Sequence, residues 1–280
     1  MLKRLIKRYK RFLRILSAPV VLAEYFSKDT GKEYGIGFTK KLSLMFKVIR
    51  NKRKIKGSTN YYEHLTMITR LFRVPKALEG CVIECGSYKG RSTSSLSLAC
   101  SLCGRKLEVF DSFEGLPEPE SRDKAHVVLD SREVQTYLKG AFHGLLDEVK
   151  ENIRRYGDIS VCCFNAGYFD KTLPGFKKRS VFIFLDVDLL GSLETCLAYL
   201  WPNLQDDCAL FTHEAHHMDV ASLFFDKEWW KNHFASPAPG LVGAGCGLGL
   251  VPGTSKFGSS IGYTVKNPRI QDYEVEPQEE

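Results

Sequence analysis

Several side chains able to do chemistry stand at the ends of short apolar runs. Glu84 lies within Cys81-Val82-Ile83-Glu84-Cys85, Asp111 ends Leu107-Glu108-Val109-Phe110-Asp111, and Asp186 ends Val181-Phe182-Ile183-Phe184-Leu185-Asp186. His213 and Glu214 come just after Cys208-Ala209-Leu210-Phe211. Between the first two runs, Gly86-Ser87-Tyr88-Lys89-Gly90 makes a glycine-bearing turn before a helix predicted from about Ser92 to about Cys103. Strand, glycine turn, helix and a strand with a terminal acid is the plan of a nucleotide-binding βαβ unit. Glycine lets backbone approach a ligand where a Cβ would clash. The helix start offers free N–H groups, and Asp111 can accept both hydroxyls of a ribose. The spacing is G-x-x-x-G, not the dinucleotide G-x-G-x-x-G, so the turn alone does not name the ligand.

A second chemistry is written over the same residues. His213-Glu214-Ala215-His216-His217 satisfies H-E-x-x-H, the zinc-hydrolase pattern. That chemistry needs both histidines on one helix face and a third ligand downstream. Here the block follows an apolar strand directly, and Val220 stands where the extended pattern has glycine.

The elements around these groups alternate. A helix is predicted over Tyr61 to Leu78 and another over Leu145 to Tyr156, then a strand over Val161 to Phe164 with its loop at Gly167-Tyr168-Phe169. The Asp186 strand precedes a helix over Ser192 to Leu200, the Cys208 to Phe211 strand and a last strand over Ser260 to Lys266. Repeated β/α alternation with continuously apolar strands predicts an α/β fold, a parallel sheet with helices on both faces. Ligands of such sheets bind beyond the carboxyl ends of the strands, where Glu84, Asp111, Asp186 and His213 collect. The glycines of the 240–249 segment are followed by no Lys-Ser/Thr pair, so they read as a loop and not as a phosphate cradle.

The 280-residue chain is 44% hydrophobic and 26% charged with a net charge of +7, which excludes wholesale disorder. That charge is not evenly spread. Residues 1–56 carry 17 Lys and Arg against Glu24, Asp29 and Glu33, leaving 23 basic against 30 acidic residues over 57–280. Three regions follow: a basic arm and linker over 1–56, a catalytic-type domain over 57–270 and an acidic tail over 271–280. At helical spacing, Leu2, Leu5, Ile6, Tyr9, Phe12, Leu13 and Leu16 form an apolar stripe on a cationic helix. Three partners suit residues 1–16: an anionic membrane surface, the chain's own body or a second subunit in a homo-oligomer, and nucleic acid. Nucleic acid is the least favoured, because no aromatic residues interleave the charges as in a base-stacking surface. The second basic cluster, Lys47 to Lys56, reads equally as a solvated linker. No run long enough to span a bilayer occurs, and the nine cysteines, mostly in apolar runs, suit a reducing compartment. The expected location is the cytoplasm, with a peripheral site at the inner face of a membrane. Cys100-x-x-Cys103 lacks a second pair at zinc spacing.

The turn Val82-Ile83-Glu84-Cys85-Gly86-Ser87-Tyr88-Lys89-Gly90 resembles the E/D-x-G-x-x-x-G motif of class I S-adenosylmethionine-dependent methyltransferases. Phe110-Asp111-Ser112-Phe113-Glu114-Gly115-Leu116-Pro117, Gly167-Tyr168-Phe169-Asp170-Lys171-Thr172-Leu173-Pro174 and Leu185-Asp186-Val187-Asp188-Leu189 resemble, in order and spacing, the macrocin O-methyltransferase (TylF/MycF-like) family. The resemblance covers about residues 62–215 and leaves out the arm. It implies a Rossmann-like methyltransferase fold, a sugar hydroxyl as acceptor and a divalent metal, usually Mg²⁺. By position, Glu84, Gly86 and Gly90, with Ser87 among them, would line the methionine end of the cofactor. Asp111 would hold the ribose with Ser112 beside it, and Tyr168 or Phe169 would lie near the adenine. Asp186 matches a metal ligand at the cofactor's edge, and Asp188 a general base.

One departure bears on the metal. The family usually carries two adjacent metal-binding acids after the strand that ends here at Phe211. Thr212 and His213 occupy those places in strict register, whereas His213 and Glu214 do so with a shift of one. Methyl transfer is an in-line displacement from a sulfonium, so alignment of the acceptor oxygen is the main task. A sugar hydroxyl needs its proton removed, by Asp188 or His213 as base, with His126 and His143 as weaker candidates, or by a metal that lowers its pKa. The expected function is an O-methyltransferase acting on a sugar or glycosylated acceptor. The alternatives are a catalytically inactive methyltransferase-like binding module and a zinc hydrolase.

Overall fold

The computed structural model describes residues 19–128, 134–242 and 260–269. The apolar stripe of residues 1–16, the glycines beyond residue 242 and the acidic tail lie outside the described residues. The described residues open with α1 (Pro19–Phe26), α2 (Phe38–Lys54) and α3 (Tyr61–Arg73), followed by β1 (Cys81–Cys85), α4 (Arg91–Cys103) and β2 (Leu107–Asp111). A small hairpin follows, β3 (Ala125–Val127) and β4 (Val134–Thr136), then α5 (Leu146–Tyr156), β5 (Cys162–Ala166), α6 (Phe169–Thr172) and β6 (Ser180–Leu185). The last elements are α7 (Leu190–Leu200), β7 (Leu204–Thr212), α8 (Met218–Leu223), α9 (Lys227–Phe234) and β8 (Gly262–Val265).

Among the described residues six strands make one sheet in the order β5-β2-β1-β6-β7-β8. All neighbours run parallel except β8, which is antiparallel to β7. Alternation along the central strands divides the core in two, as successive side chains must point to opposite faces. Ile83, Ile183, Leu185 and Leu210 pack with Leu193, Leu197 and Trp230 on one face. Val82, Phe182, Phe184 and Phe211 pack with Leu65, Ile68 and Leu96 on the other.

That second face also takes Val21, Tyr25, Leu44 and Val48 from α1 and α2. The arm and linker read over residues 1–56 therefore divide. Within residues 19–54, α1 and α2 pack on α3 and α4, the helices that cover this face of the sheet, because their apolar positions recur at helical spacing and have a face to bury. The basic cluster Lys52-Arg53-Lys54 is the last turn of α2, where cations favour the helix dipole. The helix predicted to Leu78 ends at Arg73, since Pro75 pushes Val74 into extended geometry (φ −63°, ψ 128°). Among the described residues no helix is long and apolar enough to cross a membrane.

Candidate functional site

From β1 the chain moves outward to β2 and β5, then crosses back to β6 on the other side of β1. The switch point thus lies between β1 and β6, the place where ligands enter sheets of this kind. There the Asp186 N–H donates to the Cys85 carbonyl (2.9 Å). A Cβ on Gly86 would lie 1.9 Å from the Asp186 carbonyl oxygen, and Gly86 has φ +84°. Gly90 has φ +80°, and its Cβ would meet Val149 of α5 at 3.1 Å. The glycines of the turn are thus required by contacts within the chain and by left-handed backbone, where the sequence suggested only close approach to a ligand.

A cavity of about 930 Å³ opens over this point. One end is walled by Gly86, Asp111, Ser112, Tyr168 and Phe169. Asp111 is held by the turn it faces: Oδ2 accepts from Ser87 N (2.6 Å), Ser87 Oγ (3.0 Å) and Tyr88 N (3.2 Å), and Oδ1 from Phe113 N (2.7 Å). Ser112 Oγ accepts from Glu114 N and donates to the Gly115 carbonyl, shaping the loop after β2. Tyr168 precedes α6, which sets the two aromatic rings at the mouth after β5.

Three residues read as cofactor-lining do not reach the cavity: Glu84, Ser87 and Gly90 stand behind it. Glu84 shares the face of Val82, so its side chain points under α4 and is fully buried. Neither carboxylate oxygen has a hydrogen-bond partner. Burial pushes its pKa up to about 8, against the pull of the nearby Ser92 and Thr93 hydroxyls.

The other end gathers Asp186, Asp188, His213 and Glu214. Thr212 is paired with Leu185 in the ladder, is buried, and its Oγ1 has no partner. His213 N donates to the Leu185 carbonyl, which places His213 and Glu214 beside Asp186. The shifted register is therefore the one that forms. His213 Nδ1 lies 3.3 Å from Asp186 Oδ1 and 3.4 Å from Glu214 Oε1. Burial disfavours the imidazolium, yet Asp186 and Glu214 raise the His213 pKa well above its ordinary value. Burial likewise opposes ionisation of Asp186, but the His213 charge holds it below the usual carboxylate range. Burial raises Glu214 to about 7. Burial, and then the charges of Glu214 and Asp186, raise Asp188 well above its usual value. Asp188 takes left-handed backbone (φ +61°), a strained conformation for a non-glycine residue.

One donor atom each from Asp186, His213 and Glu214 lies within 4.8 Å of the others, a set that fits a divalent cation. Two carboxylates suit a hard ion, and the imidazole also admits the first-row transition metals.

The zinc-hydrolase reading fails on geometry. Residues 213–217 form a strand end and turn, and the next helix begins only at Met218. His213 faces Asp186, whereas the Nε2 of His217 faces Gln135 of β4 at 2.6 Å. His126 and His143 do not line the cavity; His126 is buried in a wall behind it and His143 is exposed. Tyr137, Gln135, Glu63 and His216 line it without having been singled out. Tyr137 and Gln135 belong to the hairpin region, whose short polar strands carry no periodic signal. Glu63 was readable as part of a capping box, Asn60-x-x-Glu63, in which Asn60 N donates to Glu63 Oε2.

The sheet order, the glycine turn after β1 and the acid at the end of β2 are those of a class I α/β methyltransferase fold, and the family match makes the chain an S-adenosylmethionine-dependent O-methyltransferase. The TylF macrocin-O-methyltransferase family profile matches residues 63–213, more than half of the chain, and the chain belongs to this family. Two solved structures share the fold. The O-methyltransferase NovP is 13% identical with a TM-score of 0.52, over 91% of this chain and 98% of that one. The calicheamicin methyltransferase CalS11 is 15% identical with a TM-score of 0.52, over 81% and 93% respectively. No curated protein matches the chain by sequence.

Proposed function

We propose that this chain methylates a hydroxyl of a sugar or glycosylated acceptor, with cofactor at the Asp111 end of the cavity and acceptor at the Asp188 end. The observation that carries the reading is the cavity itself, which joins a ribose-type acid and an aromatic pair to an acidic cluster across the β1/β6 switch point. Asp111 accepts the ribose hydroxyls, and Tyr168 or Phe169 packs on the adenine. Asp188 is the base: it lines the cavity, and its backbone is held in left-handed geometry. His213, read earlier as the alternative base, has Nδ1 beside Asp186 and Glu214; it is their counter-charge while protonated and would give up that proton to serve as a metal ligand. CalS11, by name a calicheamicin methyltransferase, is consistent with a glycosylated acceptor.

Asp186, His213 and Glu214 would hold the divalent metal that the family implies. A metal there supplies positive charge that lowers the pKa of the acceptor hydroxyl. The residues themselves position the acceptor oxygen and take its proton, which is the part of the barrier that alignment and base catalysis address.

The basic residues 1–16 would bring the enzyme to an anionic membrane face. In support, Val20, Phe38 and Phe46 of the helices that follow are exposed apolar side chains, interspersed with Lys40, Lys47 and Lys54. Methyl-labelled S-adenosylmethionine tested against nucleotide sugars, free glycosides and lipid-linked glycans checks the substrate class. Transfer to one glycan class, lost in Asp188→Asn, supports the proposal. Cofactor binding without transfer to any of them would favour the inactive binding module.

A further inference from the structure

Behind the cavity wall a second cluster joins two separate pieces of chain. His126 lies in β3, His217 immediately precedes α8, and Asp219 is in the first turn of α8. None of the three lines the cavity. His126 is 1% exposed and His217 fully buried, and their rings stack at 5.0 Å with planes 16° apart. One donor atom from each of His126, His217 and Asp219 lies within 4.8 Å of the others.

The hydrogen bonds around this cluster leave it incomplete. His217 Nε2 meets the Gln135 Oε1 acceptor at 2.6 Å, so Nε2 carries the proton and Nδ1 keeps a lone pair. That Nδ1 is buried and has no partner. His126 Nδ1 lies 2.5 Å from Asp219 Oδ2, while His126 Nε2 and Asp219 Oδ1 are also buried without partners. Asp123, 3.9 Å from His126 Nε2, is committed to the start of α7, where its carboxylate accepts from Leu190 N and Gly191 N. An ion pair between His126 and Asp219 would satisfy only part of this set and leave His217 Nδ1 orphaned. Buried polar atoms are nearly always satisfied, and three orphans in one cluster point to a missing partner.

We propose that His126, His217 and Asp219 bind a divalent transition-metal ion of the zinc class. Two imidazoles and a carboxylate suit Zn²⁺ better than Mg²⁺ or Ca²⁺, which prefer all-oxygen sets. The bond from His217 Nε2–H to Gln135 is the outer contact that fixes a ligating histidine's tautomer. Bonds of about 2.0–2.1 Å in tetrahedral geometry require ligand atoms roughly 3.3 Å apart, so His126 and Asp219 would open slightly from their direct contact. Set apart from the cavity, the ion is structural. It fastens the β3–β4 hairpin, which supplies Gln135, Thr136 and Tyr137 to the cavity wall, onto the segment that follows β7.

The test uses the full chain, stripped with a chelator and loaded with Zn²⁺ or Co²⁺. Bound metal is measured after gel filtration, and melting is followed with and without Zn²⁺. Variants His126→Gln, His217→Gln and Asp219→Asn are compared with a cavity variant, Asp186→Asn. Retention of one tight Zn²⁺ and a raised melting temperature in wild type and Asp186→Asn is expected. The His126 and His217 variants should lose at least about 100-fold in Zn²⁺ affinity. Binding of S-adenosylhomocysteine by those variants confirms that they are folded, and Asp219→Asn serves if either histidine variant is insoluble. No tight Zn²⁺ in wild type, or Zn²⁺ retained by all three cluster variants, overturns the proposal. So does Zn²⁺ lost only in Asp186→Asn, because the ion would then sit in the cavity.

Discussion

Replacing Glu84 with glutamine isolates one buried charge from the rest of the site. Glu84 is fully buried and its carboxylate has no hydrogen-bond partner, so folding transfers it from water into the core. Burial raises its pKa from the ordinary 4.5 to about 8. A group whose pKa is raised in the folded state favours folding at low pH, and that advantage is lost as pH rises toward the folded value. At about 1.4 kcal/mol per pH unit of difference, the wild-type stability attributable to Glu84 falls by roughly 2 to 3 kcal/mol between about pH 5 and about pH 7. Glutamine keeps the shape and cannot ionise, so Glu84→Gln lacks this fall. Its baseline near pH 5 reflects how well the amide is accommodated; the prediction concerns the slope above it. Urea unfolding of ligand-free protein at several pH values between about 5 and 8.5 reads the difference directly. The variant should gain on wild type steadily up to about pH 8 and then run level. Parallel curves for the two proteins would refute the reasoning, since they would mean that Glu84 is ionised and well solvated in the folded state.

Four further outcomes are expected. Gly86→Ala places a methyl 1.9 Å from the Asp186 carbonyl at a φ of +84°, and a melting scan should show a loss of at least about 3 kcal/mol or failure to fold. Asp111→Asn, which keeps part of the bonding to the glycine turn, should weaken S-adenosylhomocysteine binding about 10- to 100-fold by calorimetry. Asp188→Asn should leave that binding near the wild-type value while turnover falls about 10²- to 10⁴-fold; equal losses in both would move the base elsewhere. Exhaustive chelation followed by Mg²⁺ or Mn²⁺ should remove and restore turnover, and turnover indifferent to chelation would take the metal out of the mechanism.

The sheet was legible because its strands are continuously apolar runs, Val181 to Leu185 above all, bounded by turns and helical patterns. Asp111, Asp186, Asp188, His213 and Glu214 were legible for a related reason: a parallel sheet carries the residues at its carboxyl ends to one edge. What the sequence could not decide was settled by contacts between distant segments. The ladder pairing of Thr212 with Leu185 selects His213 and Glu214 as the pair beside Asp186, and that register depends on β6, not on β7 alone. The glycine turn pointed to the right place for an incomplete reason, because the atom that excludes a Cβ at Gly86 belongs to Asp186, a hundred residues later. Residues 19–54 fall within the 1–56 stretch read as a basic arm and linker, because their net charge masks a buried stripe, Val21, Tyr25, Leu44 and Val48. The hairpin went unread, since Ala125–Val127 and Val134–Thr136 are too short and too exposed to show alternation.

The proposed function requires the cavity over the β1/β6 switch point to take S-adenosylmethionine against Asp111. Titration calorimetry of the full chain with S-adenosylhomocysteine, in wild type and in Asp111→Asn, tests it most directly. One site that weakens about 10- to 100-fold in the variant is the predicted result. No heat at millimolar ligand in wild type, or equal affinity in the two proteins, would contradict it.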